Sequence, residues 1–251
     1  MSDVPVDWYE GFFEGEWLDY LAAGDPERNA EQVAFLVEQL GLGEGTRVLD
    51  LACGRGRIAI PLARRGCRVT GLDLSPRSLE LARHGAAAAG VDLELIHADM
   101  RELDAVEAYE VVLNLFSSFG YFVDEADDER VVAAVSRALV PDGAFFIDTI
   151  NPLALARILT PVEIEEFADG TLLLERRRFD HLRGRLVATW LFVGNDGTRT
   201  QQRHSLRAYT PVELVAMLRQ SGLELAASWG GWDGKPLGDT GRTLLLARKQ
   251  V

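Results

Sequence analysis

The chain has 251 residues, of which 47% are apolar, and its 39 acidic and 26 basic side chains give a formal charge of −13. This composition is typical of a folded globular protein, and the acidity disfavours a nucleic-acid partner because phosphate binding requires a basic face. Since the chain has two cysteines, no apolar run of about 18 residues and no Lys or Arg before residue 28, we expect a cytoplasmic protein without a disulfide framework, membrane span or signal peptide.

The N-terminal segment, residues 7–22, is acidic and aromatic. We interpret it as a helix that packs its rings on the body of the protein, as a lid over a site, or as both. Its aromatic residues are Trp8, Tyr9, Phe12, Phe13, Trp17 and Tyr20. An amphipathic helix follows, because apolar residues recur at helical spacing from Val33 to Leu40, and Gly41 is placed to end it.

Predicted strands and helices alternate from residue 47 to residue 149. The predicted strands are 47–52, 67–72, 93–97, 111–116 and 144–149, and the predicted helices are 58–65, 76–89 and 129–139. This alternation favours βαβ units, and therefore a parallel sheet covered by helices on both faces. A helix at 211–221 and a strand pair at 223–228 and 243–248 complete a doubly wound, mostly parallel α/β sheet of seven strands.

The pattern changes after Asn151. Residues 171–180, 185–193 and 199–209 predict three strands joined by short turns, which indicates a small antiparallel β lobe inserted into the α/β domain. The tetrapeptide Thr-Pro-Val-Glu occurs at 160–163 and again at 210–213. Both copies predict helix starts, because Thr can cap a helix, Pro suits its first turn and Glu closes a capping box.

A glycine-rich turn joins the first predicted strand to the helix after it. Gly54 and Gly56 let the backbone approach a ligand closely, and the start of a helix favours negative groups. With Ala59 in the third position, the spacing also fits the fingerprint of dinucleotide-binding proteins. A nicotinamide-dependent oxidoreductase is therefore one hypothesis.

Acidic residues stand at the ends of three successive predicted strands: Asp50, Asp73 and Asp99. Because the carboxyl ends of parallel strands meet at one edge of a sheet, we expect these carboxylates to lie together beside the glycine-rich turn. A carboxylate in the position of Asp73 can accept hydrogen bonds from both hydroxyls of a ribose.

The stretch 48–57, with Asp50 four residues before Gly54, resembles the class I S-adenosylmethionine-dependent methyltransferases. The resemblance implies their Rossmann-like fold, S-adenosylmethionine as cofactor and S-adenosylhomocysteine as product. It implies that the loop from Asp50 to Gly56 holds the methionyl part, Asp73 the ribose and Asp99 the adenine amino group. The cofactor-binding residues that it implies are Arg28, Asp50, Ala52, Gly54, Gly56, Asp73, Leu74, Asp99, Met100, Asn114 and Leu115.

The resemblance extends to both sides of this stretch. Arg28 stands where glycine N-methyltransferase-like enzymes carry an arginine that grips the cofactor carboxylate, although Asn29 replaces their threonine. Residues 114–121 look like the segment after the fourth strand in small-molecule methyltransferases, including those that dimethylate amino sugars. In the sugar enzymes the position of Tyr121 often carries a histidine that faces the substrate.

The predicted lobe carries eight arginines against three acidic residues between 171 and 209. This excess predicts a solvated face, a patch paired with the acidic N-terminal helix, or an arginine fork for an acceptor with a carboxylate or phosphate. In the last case the acceptor contacts are Tyr121, Arg178, Arg207 and Tyr209. Candidates for orienting the acceptor or taking its proton are Tyr121, His204 and Tyr9. The four histidines show no metal-binding spacing, so no metal is expected.

We therefore expect a methyltransferase that transfers a methyl group in line to N or O of a small-molecule acceptor, with an anionic acceptor as one option. The expected organisation is a lid at 1–27, a cofactor-binding domain at 28–151 and 210–251, and a substrate lobe at 152–209. The alternatives are a protein or RNA methyltransferase, a non-catalytic S-adenosylmethionine-binding protein and the oxidoreductase. We expect a monomer or homodimer without membrane contact.

Overall fold

The computed structural model describes residues 4–15, 20 and 26–250, and its larger sheet has seven strands. They are β1 (Arg47–Leu51), β2 (Arg68–Asp73), β3 (Glu94–His97), β4 (Tyr109–Asn114), β5 (Leu139–Ile150), β10 (Leu223–Trp229) and β11 (Arg242–Lys249). Their order is β10-β11-β5-β4-β1-β2-β3. Only the pairings of β11 with β10 and β5 are antiparallel, which confirms the predicted doubly wound, mostly parallel sheet.

Helices cover both faces of this sheet. They are α2 (Pro26–Leu40), α3 (Ala59–Ala63), α4 (Pro76–Ala89), α5 (Glu125–Ala138), α6 (Pro152–Ile158) and α7 (Pro211–Gln220), after a short α1 (Trp8–Phe12). Successive residues of a strand point to opposite faces, so β5 contributes to two cores. Phe145 and Ile147 belong to the core that contains α5 and α7, whereas Phe146 packs in the core that contains α2.

A second, antiparallel sheet forms the lobe, with β6 (Val162–Glu166), β7 (Leu172–Asp180), β8 (Arg185–Val193) and β9 (Arg199–Arg207) in sequence order. The helix predicted to start at 160–163 is wrong, because these residues lead into β6. The sequence from Val162 to Glu166 pairs with β7, and Glu163 forms an ion pair with Arg177 there. The second copy of the tetrapeptide does start a helix, and Thr210 and Glu213 form the predicted capping box.

Two element boundaries differ from the prediction in ways that matter for the site. Helix α5 begins at Glu125 rather than 129, because the Asp124 side chain caps it by accepting a hydrogen bond from the amide of Ala126. Strand β4 ends at Asn114 rather than 116. The chain leaves the strand there because Phe116 and Ser117 adopt left-handed backbone conformations, with φ of 58° and 65°.

The N-terminal segment packs against the lobe and also contacts the α/β domain. Trp8 and Phe12 of α1 pack in an apolar cluster with Leu173 and Phe192 of the lobe. The hydroxyl of Ser75, which caps α4, donates a hydrogen bond of 3.0 Å to the carbonyl oxygen of Phe13. Trp17 lies outside the described residues. Within the described ranges, no helix combines the length and apolar character needed to cross a bilayer.

Candidate active site

A cavity of about 490 Å³ opens at the carboxyl ends of β1, β2 and β4, between the N-terminal segment and the sheet. From the glycine loop and the strand ends it is lined by Asp50, Ala52, Cys53, Gly54, Arg55, Arg57, Ile58, Leu72, Asp73, Leu74, Ala98, Asp99 and Met100. Its other walls are Tyr9, Phe13, Asn29, Ser78, Leu115, Phe116, Ser118, Tyr121 and Phe122. The cavity therefore brings the three predicted strand-end carboxylates together.

The glycine loop is shaped by left-handed backbone conformations at Ala52, Gly54 and Gly56, whose φ angles are 61°, 54° and 75°. Gly56 does not line the cavity. A Cβ added at Gly56 would approach the side chain of Ile60 to 3.1 Å. The loop is fixed to the next strand because Asp73 accepts a hydrogen bond of 2.7 Å from the amide of Gly54.

Asp73 is positioned to accept further hydrogen bonds. One of its oxygens binds the Gly54 amide and the other binds the amide of Ser75 at 2.9 Å. A carboxylate offers about four acceptor positions, so about two stay available toward the cavity. Burial raises the pKa of Asp73, and the two amide hydrogen bonds oppose that rise.

Asp50 is a nearly fully buried carboxyl group at the end of β1. Burial raises its pKa to about 7, the negative charge of Asp73 adds to the rise, and Arg57 opposes it. A positively charged ligand group beside Asp50 would favour the ionised carboxylate, since opposite charges stabilise each other most strongly where water is excluded. This end of the cavity therefore suits a cation.

Two residues that line the cavity each carry a buried polar atom without a hydrogen-bond partner in the described part of the chain. The atoms are Oδ1 of Asn29, an acceptor, and Nη1 of Arg55, a donor. Buried polar groups are ordinarily hydrogen-bonded, so both side chains keep hydrogen-bonding capacity that a small rotation could turn toward a ligand. The amino-acid end of S-adenosylmethionine supplies an ammonium and a carboxylate, and the residues present fit that group.

Asp99 lines the cavity, but Arg101 already engages its carboxylate. The Arg101 amide and Nε donate to Oδ1 at 2.8 and 3.1 Å, and Nε and Nη2 donate to Oδ2 at 3.1 and 2.6 Å. These contacts occupy most of the acceptor positions of the Asp99 carboxylate. The hydrogen bond expected from an adenine amino group to Asp99 stays a prediction, and Leu74 and Met100 line the cavity as expected.

Arg101 also connects the strand ends to the N-terminal segment. Its Nη2 donates to the hydroxyl of Tyr9 at 3.2 Å, and its guanidinium lies 4.4 Å from the ring centre of Phe122. Tyr9 therefore lines the cavity on the Asp99 side, where burial raises the pKa of its hydroxyl. Arg101 was not among the residues predicted from the sequence, although its position two residues after Asp99 was the available signal.

Tyr121 forms the wall between the cavity and the aromatic cluster of the lobe. Its ring lies 4.9 Å from that of Trp8 and 6.1 Å from that of Phe13, measured between ring centres. Burial raises the pKa of its hydroxyl. The neutral phenol can orient an acceptor at neutral pH, but its raised pKa makes it a poor general base there.

Three residues predicted to contact the acceptor do not line the cavity. Arg207 is buried and paired with Glu125 and Glu213 between α5 and α7. Tyr209 is a core residue whose hydroxyl donates to Asp128 at 2.8 Å. Arg178 is exposed on the lobe. These placements correct the predicted arginine fork, because the arginines turn toward the core or the solvent instead of the cavity.

His204 also lies outside the cavity, in the aromatic cluster. Its ring centre is 5.7 Å from that of Trp8 and 5.0 Å from those of Phe12 and Trp190. Burial lowers its pKa to about 4, and the charge of Arg177 adds to this effect. The expectation that His204 takes the acceptor's proton is therefore corrected, because its environment is apolar and separate from the lining residues.

Two further expected cofactor residues lie beside the cavity without lining it. Asn114 is fully buried and its amide side chain donates to the carbonyl oxygen of Leu51 at 3.1 Å, which ties β4 to β1. Arg28 lines a separate cavity beside Trp232 and Arg242. Arg55 and Arg57 line the cavity but were not predicted from the sequence, although both alternate with the glycines of the loop.

Comparisons with known proteins agree on one family. Residues 48–143 match the family described as a methyltransferase domain. A putative methyltransferase of Geobacillus sp. (strain WCH70) is 31% identical over 56% of each chain. The putative methyltransferase YqeM of Bacillus subtilis (strain 168) is 25% identical over 99% of this chain and 92% of its own. A ubiquinone biosynthesis O-methyltransferase of Rhizobium leguminosarum bv. trifolii (strain WSM2304) is 37% identical over 43% of this chain and 42% of its own. The chain thus spans about half the length of the Geobacillus and Rhizobium relatives.

Solved structures share the whole fold. The CcbJ methyltransferase from Streptomyces caelestis has a TM-score of 0.77 and 25% identity, with 88% of this chain and 90% of that chain covered. The sugar N-methyltransferase KedS8 from Streptoalloteichus sp. has a TM-score of 0.71 and 22% identity, with 100% and 96% covered, and supports the fold alone. Together with the glycine loop and its carboxylates, these findings show that residues 48–143 contain a methyltransferase domain and that the chain shares the fold of solved methyltransferases.

Proposed function

We propose that this protein binds S-adenosylmethionine in the cavity and transfers its methyl group to N or O of a small-molecule acceptor. The observation that carries the proposal is the arrangement of Asp73 and Asp50. The carboxylate of Asp73 accepts hydrogen bonds from the Gly54 and Ser75 amides and keeps further acceptor positions available. The carboxyl group of Asp50 is buried at the end of the cavity that favours a cation. A nucleoside joined to a cationic amino acid matches both.

The lining residues divide the cavity into parts that suit the parts of the cofactor. Asp73 would hold the ribose hydroxyls, and Leu74 and Met100 would flank the adenine ring. At the other end, Asn29 and Asp50 would face the ammonium group, and Arg55 would bind the carboxylate with its unpartnered Nη1. A charged hydrogen bond of this kind contributes about 1.5–3 kcal/mol.

The residues of this chain contribute mainly alignment and exclusion of water. When bound, S-adenosylmethionine supplies a methyl group activated by a positive sulfur, and the acceptor's lone pair forms the new bond to carbon as the carbon–sulfur bond breaks. Phe13, Phe116 and Tyr121 line the cavity with aromatic surface, which keeps both the bound cofactor and an acceptor away from water. An amine acceptor must be unprotonated when it attacks, because its lone pair forms the new bond. Burial raises the pKa of Tyr121, so its hydroxyl stays protonated at neutral pH.

The proposal of a small acceptor rests on the shape of the site and on the protein's charge. The lid residues Tyr9 and Phe13 stand over the cavity, which leaves room for a compact molecule rather than a folded macromolecule. The net charge of −13 disfavours RNA, since a phosphate backbone would be repelled. A ubiquinone biosynthesis O-methyltransferase among the similar proteins is consistent with this class.

Thermal unfolding with added ligands tests the proposal directly. S-adenosylmethionine and S-adenosylhomocysteine should each raise the melting temperature, because a ligand at about 100 times its Kd stabilises the fold by about 2.7 kcal/mol. NAD and NADP serve as matched adenine-containing controls. A panel of amines, hydroxy acids, phenols and amino sugars is then incubated with S-adenosylmethionine, and S-adenosylhomocysteine release is measured. A shift with the nicotinamide cofactors alone would contradict the proposal.

A further inference from the structure

The loop that follows β4, residues 115–122, forms one whole wall of the cavity. It contributes Leu115, Phe116, Ser118, Tyr121 and Phe122 to the lining. The start of the loop has an unfavourable backbone conformation, because Phe116 and Ser117 both have positive φ angles although neither is glycine. Such conformations persist only where the surrounding structure imposes them, and they concentrate at functional sites.

The start of the loop is held by Asp148 of β5 and Arg242 of β11. The fully buried Asp148 carboxylate accepts from the amide of Phe116 at 3.0 Å, and the Asp148 carbonyl oxygen accepts from the amide of Ser117 at 2.9 Å. Arg242 forms an ion pair with the same carboxylate and donates to the hydroxyl of Ser117 at 2.8 Å. The two left-handed residues are therefore clamped from the neighbouring strands.

The end of the loop is held by a different arginine, Arg185 of the lobe. Arg185 is buried and donates to the carbonyl oxygen of Phe122 at 2.9 Å and to those of Gly120 and Tyr121 at 3.3 Å. Its remaining donors bind Ser205, through the hydroxyl at 2.8 Å and the carbonyl oxygen at 3.0 Å. Because the buried guanidinium donates to these backbone carbonyl oxygens, it fixes the path of the chain at residues 120–122.

The held loop places two rings on the cavity. Phe116 lies beneath the guanidinium of Arg57, 3.5 Å from the ring centre, and thereby faces the end of the cavity that contains Asp50. Tyr121 completes the wall toward the lid, against Trp8. Displacing either end of the loop would move one of these rings relative to the carboxylates of the sheet edge.

We propose that Arg242, acting with Asp148, and Arg185 are positioning residues that hold the 115–122 loop in the shape required for cofactor binding. The inference rests on the proposed function, because the ligand that the loop faces is the proposed cofactor. Arg242 sets the left-handed start of the loop from the carboxyl-terminal strand. Arg185 sets its end from the lobe, so the wall of the cavity depends on both sheets.

The test is titration calorimetry with S-adenosylhomocysteine as the probe. Arg242→Met and Arg185→Met should each raise its Kd by about tenfold, the effect of losing about 1.4 kcal/mol of binding free energy. Arg248→Met is the control on β11, since Arg248 bonds the carbonyl of Asp142 at the far end of that strand. Arg199→Met is the control on β9, where Arg199 is exposed. Both controls should stay within about twofold of the wild type.

A second substitution separates positioning from a general loss of stability. Glycine adopts left-handed conformations without steric cost, so Ser117→Gly should restore most of the S-adenosylhomocysteine affinity that Arg242→Met removes. If Arg242 were only a structural ion pair, Arg242→Met would lower the melting temperature but leave the Kd unchanged, and Ser117→Gly would rescue nothing. If Arg185→Met fails to fold, Arg185→Lys is measured instead, and an unchanged Kd in that variant counts against the role of Arg185.

The outcomes distinguish the two proposals. A wild-type protein that does not bind S-adenosylhomocysteine overturns the proposed function, and the inference with it. A wild type that binds, with folded Arg242 and Arg185 variants that bind equally well, overturns the inference alone. A raised Kd in both arginine variants, unchanged controls and rescue by Ser117→Gly support it.

Discussion

The negative charge of Asp73 on β2 helps to raise the pKa of the buried Asp50 on β1 to about 7. The folded protein therefore binds a proton at Asp50 more tightly than the unfolded chain, whose aspartates titrate near 3.8. The stability that Asp50 contributes is largest below about pH 4 and is lost as the pH rises to about 7. The same carboxylates that favour a cationic ligand thus cost stability in its absence.

We expect Asp50→Asn to stabilise the free protein at about pH 8, because each unit of raised pKa costs about 1.4 kcal/mol when the carboxylate is forced to ionise. At about pH 4 the gain should shrink toward zero, since Asp50 is then protonated in the wild type. Urea unfolding at the two pH values measures the difference. A gain that is equal at both would contradict the assigned pKa. The same variant should bind S-adenosylmethionine more weakly.

We expect Asp73→Ala to weaken S-adenosylhomocysteine binding by about 1–3 kcal/mol, the range for lost charged hydrogen bonds. The loss combines the missing ribose contact with a glycine loop that is no longer anchored at the Gly54 amide. Titration calorimetry gives the affinity, with Asp92→Ala, an exposed aspartate before β3, as the matched control. If the two variants bound S-adenosylhomocysteine with equal affinity, the proposal that Asp73 holds the ribose would be contradicted.

We expect Tyr121→Phe to keep both S-adenosylhomocysteine affinity and turnover within about threefold of the wild type. The phenylalanine ring preserves the contacts with Trp8 and Phe13, and burial raises the pKa of the hydroxyl too far for it to act as a base at neutral pH. Tyr121→Ala should weaken binding because the wall loses its ring. Turnover is measured with an acceptor from the panel, and a large loss in Tyr121→Phe alone would restore the base role.

We expect His204→Phe to reduce the acid sensitivity of the protein. Burial lowers the pKa of His204 to about 4 against 6.5 in the unfolded chain, so its contribution is complete above pH 6.5 and is lost as the pH falls toward 4. The loss amounts to about 3 kcal/mol at most. Urea unfolding followed by tryptophan fluorescence from pH 7 to about pH 4 gives the slope. The exposed His84, replaced by glutamine, should leave that slope unchanged.

We expect Arg207→Met to lower the free energy of unfolding by about 1 kcal/mol without changing S-adenosylhomocysteine affinity. Its partners Glu125 and Glu213 are about half exposed, so solvent weakens both ion pairs. This expectation replaces an acceptor role for Arg207, which lies outside the cavity lining. Urea unfolding and calorimetry on the same sample provide both values. A loss confined to the KM of an acceptor, with unchanged stability, would favour the acceptor role.

The cofactor end of the site was predictable because strand order and strand-end residues determine it. Asp50 and Asp73 had to meet at one sheet edge once β1 and β2 were recognised as parallel neighbours. The acceptor end was not predictable in the same way. Arg207 ends a strand whose alternation is clear and Tyr209 follows that strand, but the direction in which their side chains turn depends on the packing of α5 and α7. Arg185 shares the lobe's basic character yet binds backbone carbonyls, which side-chain patterns do not reveal.

The contact between Ser75 and Phe13 joins the cap of a sheet-covering helix to the segment that roofs the cavity. On the N-terminal side of Phe13, Trp8 and Phe12 are embedded among side chains of the lobe. The segment from Trp8 to Phe13 thus covers the cavity and also connects the lobe to the α/β domain. Shortening the protein to its α/β half would remove the roof and expose the aromatic surface beneath it, so the cavity depends on the N-terminal segment and the lobe as well as on the α/β half.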